Sequence, residues 1–258
     1  MRRVNTFIGS PVARVEDLRF LRGRGQYLDD LSRAGQWHAA IVRSPVAHGR
    51  IRTIDAAAAL AMPGVKAVLT AADIGQPIPM IPFRRPNPTI APYAQPVIAD
   101  AVVRYVGEPL AVVLADAAEL AEDAAAAVAF DIDHLPAVTD RHASQHGAVL
   151  LFEGTGSNRA ALVTASKGDV ESAFRAAAHT RREKFCTQRL SAMPMETRGL
   201  LAEWDAATGK LAVSGAAKLP FFNRRAMAQM MGLAEDAVDY LEFDVGGGFG
   251  ARGEFYPE

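Results

Sequence analysis

The sequence predicts an α+β chain of two regions, and three observations predict it. Two strand, helix, strand patterns fall between residues 36 and 133. A stretch rich in Gly, Ser, Asn and His, without apolar period, interrupts the chain at 139–159. Beyond it come a helix, a hairpin, a second helix and a strand that runs into four glycines within the five positions 246–250.

In the first region, residues 36–43 and 50–54 are apolar-rich runs separated by Ser44-Pro45-Val46-Ala47-His48-Gly49, which is turn chemistry, so strand, loop and strand follow. Asp55 is placed to cap an alanine-rich helix. Met62-Pro63-Gly64 stops that helix, because proline cannot continue the ladder and glycine accepts a left-handed exit. Residues 65–70 read as another strand. Seven prolines between Pro77 and Pro96 each remove a donor and fix φ, which makes a long extended loop. Arg84 and Arg85 on it face solvent or another subunit. Residues 102–106, 110–115 and 128–133 read as strands, the last two flanking a helix over 117–127, with Asp116 and Glu119 spaced as a carboxylate capping box. Residues 15–138 thus make one mixed domain of ordinary size.

Residues 139–159 are expected to form the linker. His142 and His146 are spaced to share one helical face, but no third ligand stands at suitable spacing, and no metal site is assigned. In the second region, residues 160–258, Asp169 caps a helix to about residue 178, and an alternating strand follows over 180–189. Cys186 within it reads as a buried structural thiol. Residues 198–204 and 210–215 make a hairpin, with Gly209 at the left-handed turn position. Asn223 caps an amphipathic helix that ends at Gly232, its core stripe being Ala226, Met227, Met230 and Met231. Residues 238–243 form the last strand.

With 50% hydrophobic residues over 258 positions, a disordered chain is excluded. A net charge of -1 gives no reason to expect nucleic acid or an anionic membrane as partner. No apolar run approaches the ~20 residues that span a bilayer, and Met1-Arg2-Arg3 leads into mixed sequence instead of a signal-peptide core. A cytoplasmic protein is expected. One cysteine allows neither an internal disulfide nor an iron-sulfur cluster, so any electron relay belongs to another polypeptide or domain.

The chemistry signal lies in Asp244-Val245-Gly246-Gly247-Gly248-Phe249-Gly250-Ala251-Arg252-Gly253. Its glycines leave the main chain bare, so N–H groups can approach a phosphate or oxo ligand closely. Phe249 is a large flat group among them, and Arg252 offers a fork suited to an oxyanion. Residues 248–253 also fit G-x-G-x-x-G, which keeps a nicotinamide-dependent dehydrogenase as an alternative. That fold needs a helix opening at the glycines and an acidic residue about 20 positions on.

The segment Val245-Gly246-Gly247-Gly248-Phe249-Gly250-Ala251-Arg252 resembles the glycine-rich segment of the molybdenum-binding subunits of xanthine dehydrogenase, aldehyde oxidase and carbon monoxide dehydrogenase. Collinear with it, Gly23-Arg24-Gly25-Gln26-Tyr27-Leu28-Asp29-Asp30, Val42-Arg43-Ser44-Pro45-Val46-Ala47-His48-Gly49, Gly64-Val65-Lys66-Ala67-Val68-Leu69-Thr70 and Val106-Gly107-Glu108-Pro109-Leu110-Ala111-Val112-Val113 resemble the α/β hammerhead domain of those subunits. Pro194-Met195-Glu196-Thr197-Arg198-Gly199 and Asn223-Arg224-Arg225 resemble the start of their molybdenum-binding region.

That resemblance implies an α/β hammerhead domain followed by the first, incomplete part of a mixed α/β molybdopterin-binding domain. It implies a hydroxylase that, when complete, oxidises an aldehyde, an aromatic heterocycle or a similar small molecule with water as oxygen source. A molybdenum-molybdopterin dinucleotide would be held in part by Gly247, Gly248, Phe249 and Gly250, with a weaker role for Arg252. The partners implied are an iron-sulfur subunit, an FAD subunit and the remainder of the molybdenum subunit, in a complex that is itself a homo-oligomer. No catalytic residue or metal ligand is assigned within the chain, because the family's general-base glutamate is expected beyond Glu258. Leu190 or Ser191 stands where some relatives carry a glutamine, and Ala217-Lys218-Leu219 where others carry a Thr-Gln pair, which leaves the substrate open. A non-catalytic structural or assembly module of a redox complex is the other alternative.

Overall fold

The computed structural model describes residues 7–85 and 87–257. A short helix α1 (Asp17–Leu21) leads to strands β1 (His38–Arg43) and β2 (Gly49–Asp55), helix α2 (Ala57–Leu60), strand β3 (Val65–Leu69) and helix α3 (Ala71–Ile74). After the proline-rich loop come β4 (Val102–Val103), β5 (Pro109–Ala115), α4 (Ala118–Ala127) and β6 (Ala129–His134). Then follow α5 (Arg141–Gln145), α6 (Val170–Ala176), β7 (Leu201–Asp205), β8 (Lys210–Ser214), α7 (Pro220–Met231) and β9 (Val238–Leu241).

The first region holds two antiparallel three-stranded sheets, ordered β1-β5-β3 and β4-β2-β6. Strand β5 reads Pro-Leu-Ala-Val-Val-Leu-Ala, almost wholly apolar, because it is central and covered on both faces. Leu110, Ala111 and Val113 are fully buried there against Val42, Val68, Val103 and Ile132. Helix α4 packs Ala121 and Ala124 onto β1 and β5, where small side chains permit close approach.

Several expected local details differ. Asp116 makes no cap. Its carboxylate faces Lys66 Nζ at 2.7 Å, and Ala117 occupies the cap position without a side-chain bond. The alanine-rich helix keeps only four residues, with Ala57 N–H donating to Asp55 Oδ1 at 2.9 Å from the strand end. A further turn of helix, α3, starts where Thr70 N–H donates to Asp73 Oδ2 at 2.7 Å. The proline-rich loop is cinched at its base by Ile81 N–H to Gln95 O (2.8 Å) and Val97 N–H to Pro79 O (3.0 Å), leaving Arg84 and Arg85 exposed.

Residues 139–159, expected as a linker, carry α5, capped by Asp140, and pack back on the first region. Arg104 Nε donates to Leu151 O at 2.8 Å, and Tyr93 Oη donates to Ser157 O at 2.8 Å. The strand expected over 180–189 is not formed. The segment is irregular and exposed, and no strand among the described residues offers it an edge for its main-chain groups. Cys186 is therefore exposed, not a buried thiol.

In the second sheet region, β7 pairs antiparallel with β8 through the hairpin closed at Gly209 (φ +67°), and β8 pairs parallel with β9. Helix α7 covers this sheet. Pro220 begins it, so Asn223 is not the cap but a buried residue one turn inside. Its buried residues are Asn223, Ala226 and Ala228, with the partly buried Met227 packed against the same core as Ala228 and Met231 exposed.

Candidate functional site

Strand β9 delivers the chain to the glycine run, which is anchored at both ends. Before it, Asp244 takes a bidentate contact from Arg19 (Nη2 to Oδ1 2.6 Å, Nη1 to Oδ2) and accepts Gln26 N–H at 2.8 Å. The Arg19 guanidinium and the Gln26 N–H together hold the Asp244 carboxyl down at about 2. After it, Arg252 is buried, and each nitrogen of its guanidinium faces a protein acceptor. Nε donates to Gly247 O at 2.8 Å, Nη1 to Ala216 O at 3.5 Å, and Nη2 to Glu196 O at 2.7 Å and Glu196 Oε2 at 2.9 Å.

Glu196 is the partner that ties these ends together. Its Oε2 accepts Gly246 N–H at 2.8 Å, its Oε1 accepts Leu28 N–H at 3.3 Å, and its own N–H donates to Gly246 O at 3.2 Å. With these acceptors the Arg252 guanidinium positions main chain.

The glycines divide by reason. A Cβ on Gly246 would lie 2.3 Å from Glu196 Cβ, so close packing demands glycine there. Gly247 (φ +118°) and Gly250 (φ +90°) need left-handed backbone. Gly248 has no positive φ, and an added Cβ would meet nothing within 4 Å. Its bareness has no cause inside the fold. Phe249 sits at φ +47° with its ring 77% exposed, an uncommon conformation for a non-glycine residue.

Bonds from Ala251 N–H to Gly248 O (2.9 Å) and Gly253 N–H to Gly250 O (3.1 Å) close two tight turns. The N–H groups of Gly247, Gly248, Phe249 and Gly250 find no acceptor among the described residues. A row of unfilled main-chain donors beside open space fits an oxo- or phosphate-bearing group. The cavity behind Arg252, lined by Arg198, Asn223, Tyr240 and Tyr256 among others, measures about 60 Å³ and is too small for a cofactor. A larger cup of about 460 Å³ around α6 contains none of the glycine-run residues.

The other sequence candidates are not assembled. His142 and His146 belong to no cluster of metal-ligating residues among those described. A dinucleotide site would need a helix opening at the glycines, and among the described residues Ala251–Gly253 form a single 3-10 turn there. No helix of the described residues is long and apolar enough to cross a membrane. Sequence reasoning missed Glu196 as the hub and Arg19 as the outer anchor. Asp244 adjoining the glycines was the one local signal.

Fold and loop together define an α+β protein with an exposed glycine-rich loop whose main-chain donors are unfilled. Residues 22–136 match the aldehyde oxidase and xanthine dehydrogenase a/b hammerhead domain, and residues 151–258 match the molybdopterin cofactor-binding domain. The chain belongs to the xanthine dehydrogenase and aldehyde oxidase family of molybdenum-binding subunits. It is 38% identical over 251 residues to the nicotine 6-hydroxylase large subunit of Paenarthrobacter nicotinovorans, covering 97% of this chain and 31% of that one. The carbon monoxide dehydrogenase large chain of Hydrogenophaga pseudoflava is 35% identical, with 94% and 31% covered. Quinoline 2-oxidoreductase from Pseudomonas putida 86 superposes with a TM-score of 0.85 at 35% identity, covering 95% of this chain and 31% of that one. The chain therefore spans about a third of the length of the relatives it matches.

Proposed function

We propose that this chain supplies the hammerhead domain and the glycine-rich wall of the cofactor site in a molybdenum hydroxylase. When complete, the enzyme oxidises an aldehyde, an aromatic heterocycle or a similar small molecule. The observation that carries this reading is Gly248, bare for no internal reason and flanked by main-chain donors without acceptors. When bound, the molybdenum cofactor supplies two-electron oxidation of carbon with oxygen drawn from water.

This chain's own part is binding and orientation. The N–H groups of Gly247, Gly248, Phe249 and Gly250 donate to oxo, dithiolene or phosphate acceptors of a molybdopterin dinucleotide, and preorganised donors of this kind need no rearrangement to act. Arg252 and Glu196 keep the wall in place without touching the ligand. Glu254 is not assigned as general base, and that role is left to a glutamate of the remainder of the molybdenum subunit. Iron-sulfur and FAD subunits carry the electrons away, since a single cysteine cannot hold a cluster.

The test is the molybdenum and pterin content of the complete, purified subunit. Gly248→Val puts a branched side chain into the open space, and loss of both cofactor components with an unchanged melting temperature is expected. Full cofactor content in that variant sinks the reading.

A further inference from the structure

We propose that Arg19 is a positioning residue for the cofactor loop, acting through Asp244, and that residues 17–30 form a brace on the glycine-rich wall. The inference rests on the cofactor reading of that wall. Helix α1 is five residues long and buries none of them, so its own packing does not place it. What places it is the bidentate contact of Arg19 with Asp244, side by side with two bonds to Gln26: its N–H donates to the Asp244 carboxylate Oδ2 at 2.8 Å, and the Asp244 N–H donates to Gln26 O at 3.0 Å. Two residues further on, Leu28 N–H reaches Glu196 Oε1 at 3.3 Å.

The brace therefore grips both carboxylates that hold the glycine run, Asp244 at its entry and Glu196 beside Gly246. A glycine run has more backbone freedom to lose than any other sequence, so its conformation depends on how firmly its ends are pinned. The Arg252 clamp pins one end. The other end, where β9 stops at Leu241, has the Arg19 contact 225 residues away in sequence as its charged tether. The two parallel N–H bonds of a guanidinium fix direction as well as distance, which a lysine in that place cannot do.

The experiment uses the complete subunit with its partners and compares Arg19→Ala, Asp244→Arg, the charge-swapped pair Arg19→Asp with Asp244→Arg, and Arg33→Ala as control. Arg33 bridges the same two regions by contacting Glu203 at 2.8 Å but lies off the loop. Two quantities are read: amide exchange across residues 244–253 and molybdenum content. In Arg19→Ala, exchange at Asp244 and Gly246 is expected to rise about tenfold, the factor that loss of a partly exposed charged hydrogen bond carries. Molybdenum content is expected to fall with it. The swapped pair restores part of both, because an arginine at 244 cannot accept the Gln26 N–H, and Arg33→Ala changes neither. Exchange in Arg19→Ala no faster than in Arg33→Ala overturns the brace. So does molybdenum retained in Arg19→Ala but lost in Gly248→Val. Molybdenum retained in both variants overturns the cofactor reading of the loop, and the positioning role with it.

Discussion

Arg252 and Glu196 form a buried ion pair that is at the same time a main-chain clamp: Nη2 lies 2.9 Å from Glu196 Oε2 and 2.7 Å from the Glu196 carbonyl oxygen. Their side chains are 4% and 12% exposed. Arg252→Ala strands a buried carboxylate and orphans the Gly247 carbonyl, and breaking such a pair costs roughly 3–5 kcal/mol. Arg252→Lys keeps the charge but cannot serve Gly247 and Glu196 together, so an intermediate loss is expected. Thermal and urea unfolding of the two variants checks the ranking, and equal stability of Arg252→Ala and the parent removes the clamp.

Gly246 and Gly248 are expected to part company when each is replaced by alanine. At Gly246 the new carbon would lie 2.3 Å from Glu196 Cβ, so the loop must shift, and a loss of about 1–3 kcal/mol follows from overpacking. At Gly248 nothing lies within 4 Å, and alanine there is expected to be neutral or slightly stabilising through its less flexible unfolded state. Melting temperatures separate the two positions, and a Gly248→Ala that melts as low as Gly246→Ala refutes the distinction between a packing glycine and a ligand-facing one.

Much of the fold was legible in the sequence, and what was not has a physical cause. The run Pro109–Ala115 is apolar enough to announce a central strand, and the helix before β6 follows from its alanine pattern. The glycine run announced bare backbone. Caps were misread where a competing partner wins: Asp116 prefers Lys66, and Pro220 starts α7 three residues ahead of Asn223. Arg252 was read as a fork suited to an oxyanion, and in the fold its acceptors are Glu196, 56 residues away, and the nearby Gly247 carbonyl, which no local pattern reports. Alternation over 180–189 suggested a strand, but a strand exists only when another edge takes its hydrogen bonds.

The tie between Asp244 and Arg19 is expected to survive mild acid. The Asp244 carboxyl titrates at about 2 in the fold, lowered first by the Arg19 side-chain bond and then by the Gln26 N–H. Because the folded value lies below the unfolded one, the contribution is present above the ordinary carboxylate range and is lost as pH falls towards about 2. Amide exchange at Asp244, corrected for its intrinsic pH dependence, should therefore stay constant from neutrality to the ordinary carboxylate range and rise below it. A rise that sets in well above that range contradicts the assignment.

Glu108 is expected to act in the opposite sense. It is 1% exposed, its Oε2 accepts the Arg104 N–H, and its Oε1 has no partner among the described residues. The Arg104 guanidinium is directed elsewhere, to Leu151 O at 2.8 Å and Val102 O at 3.3 Å. Burial pushes the Glu108 carboxyl up, against the smaller opposing effects of the Arg104 N–H and the Arg104 charge. With the folded value above the unfolded one, the stabilisation is complete below the ordinary carboxylate range and declines as pH rises through the folded value. Glu108→Gln keeps an acceptor for Arg104 and cannot ionise. Relative to that variant, the parent should lose stability on going from mild acid to neutrality, read as diverging urea midpoints. Midpoints that stay a fixed distance apart across that range show that Glu108 does not titrate differently in the folded and unfolded chain.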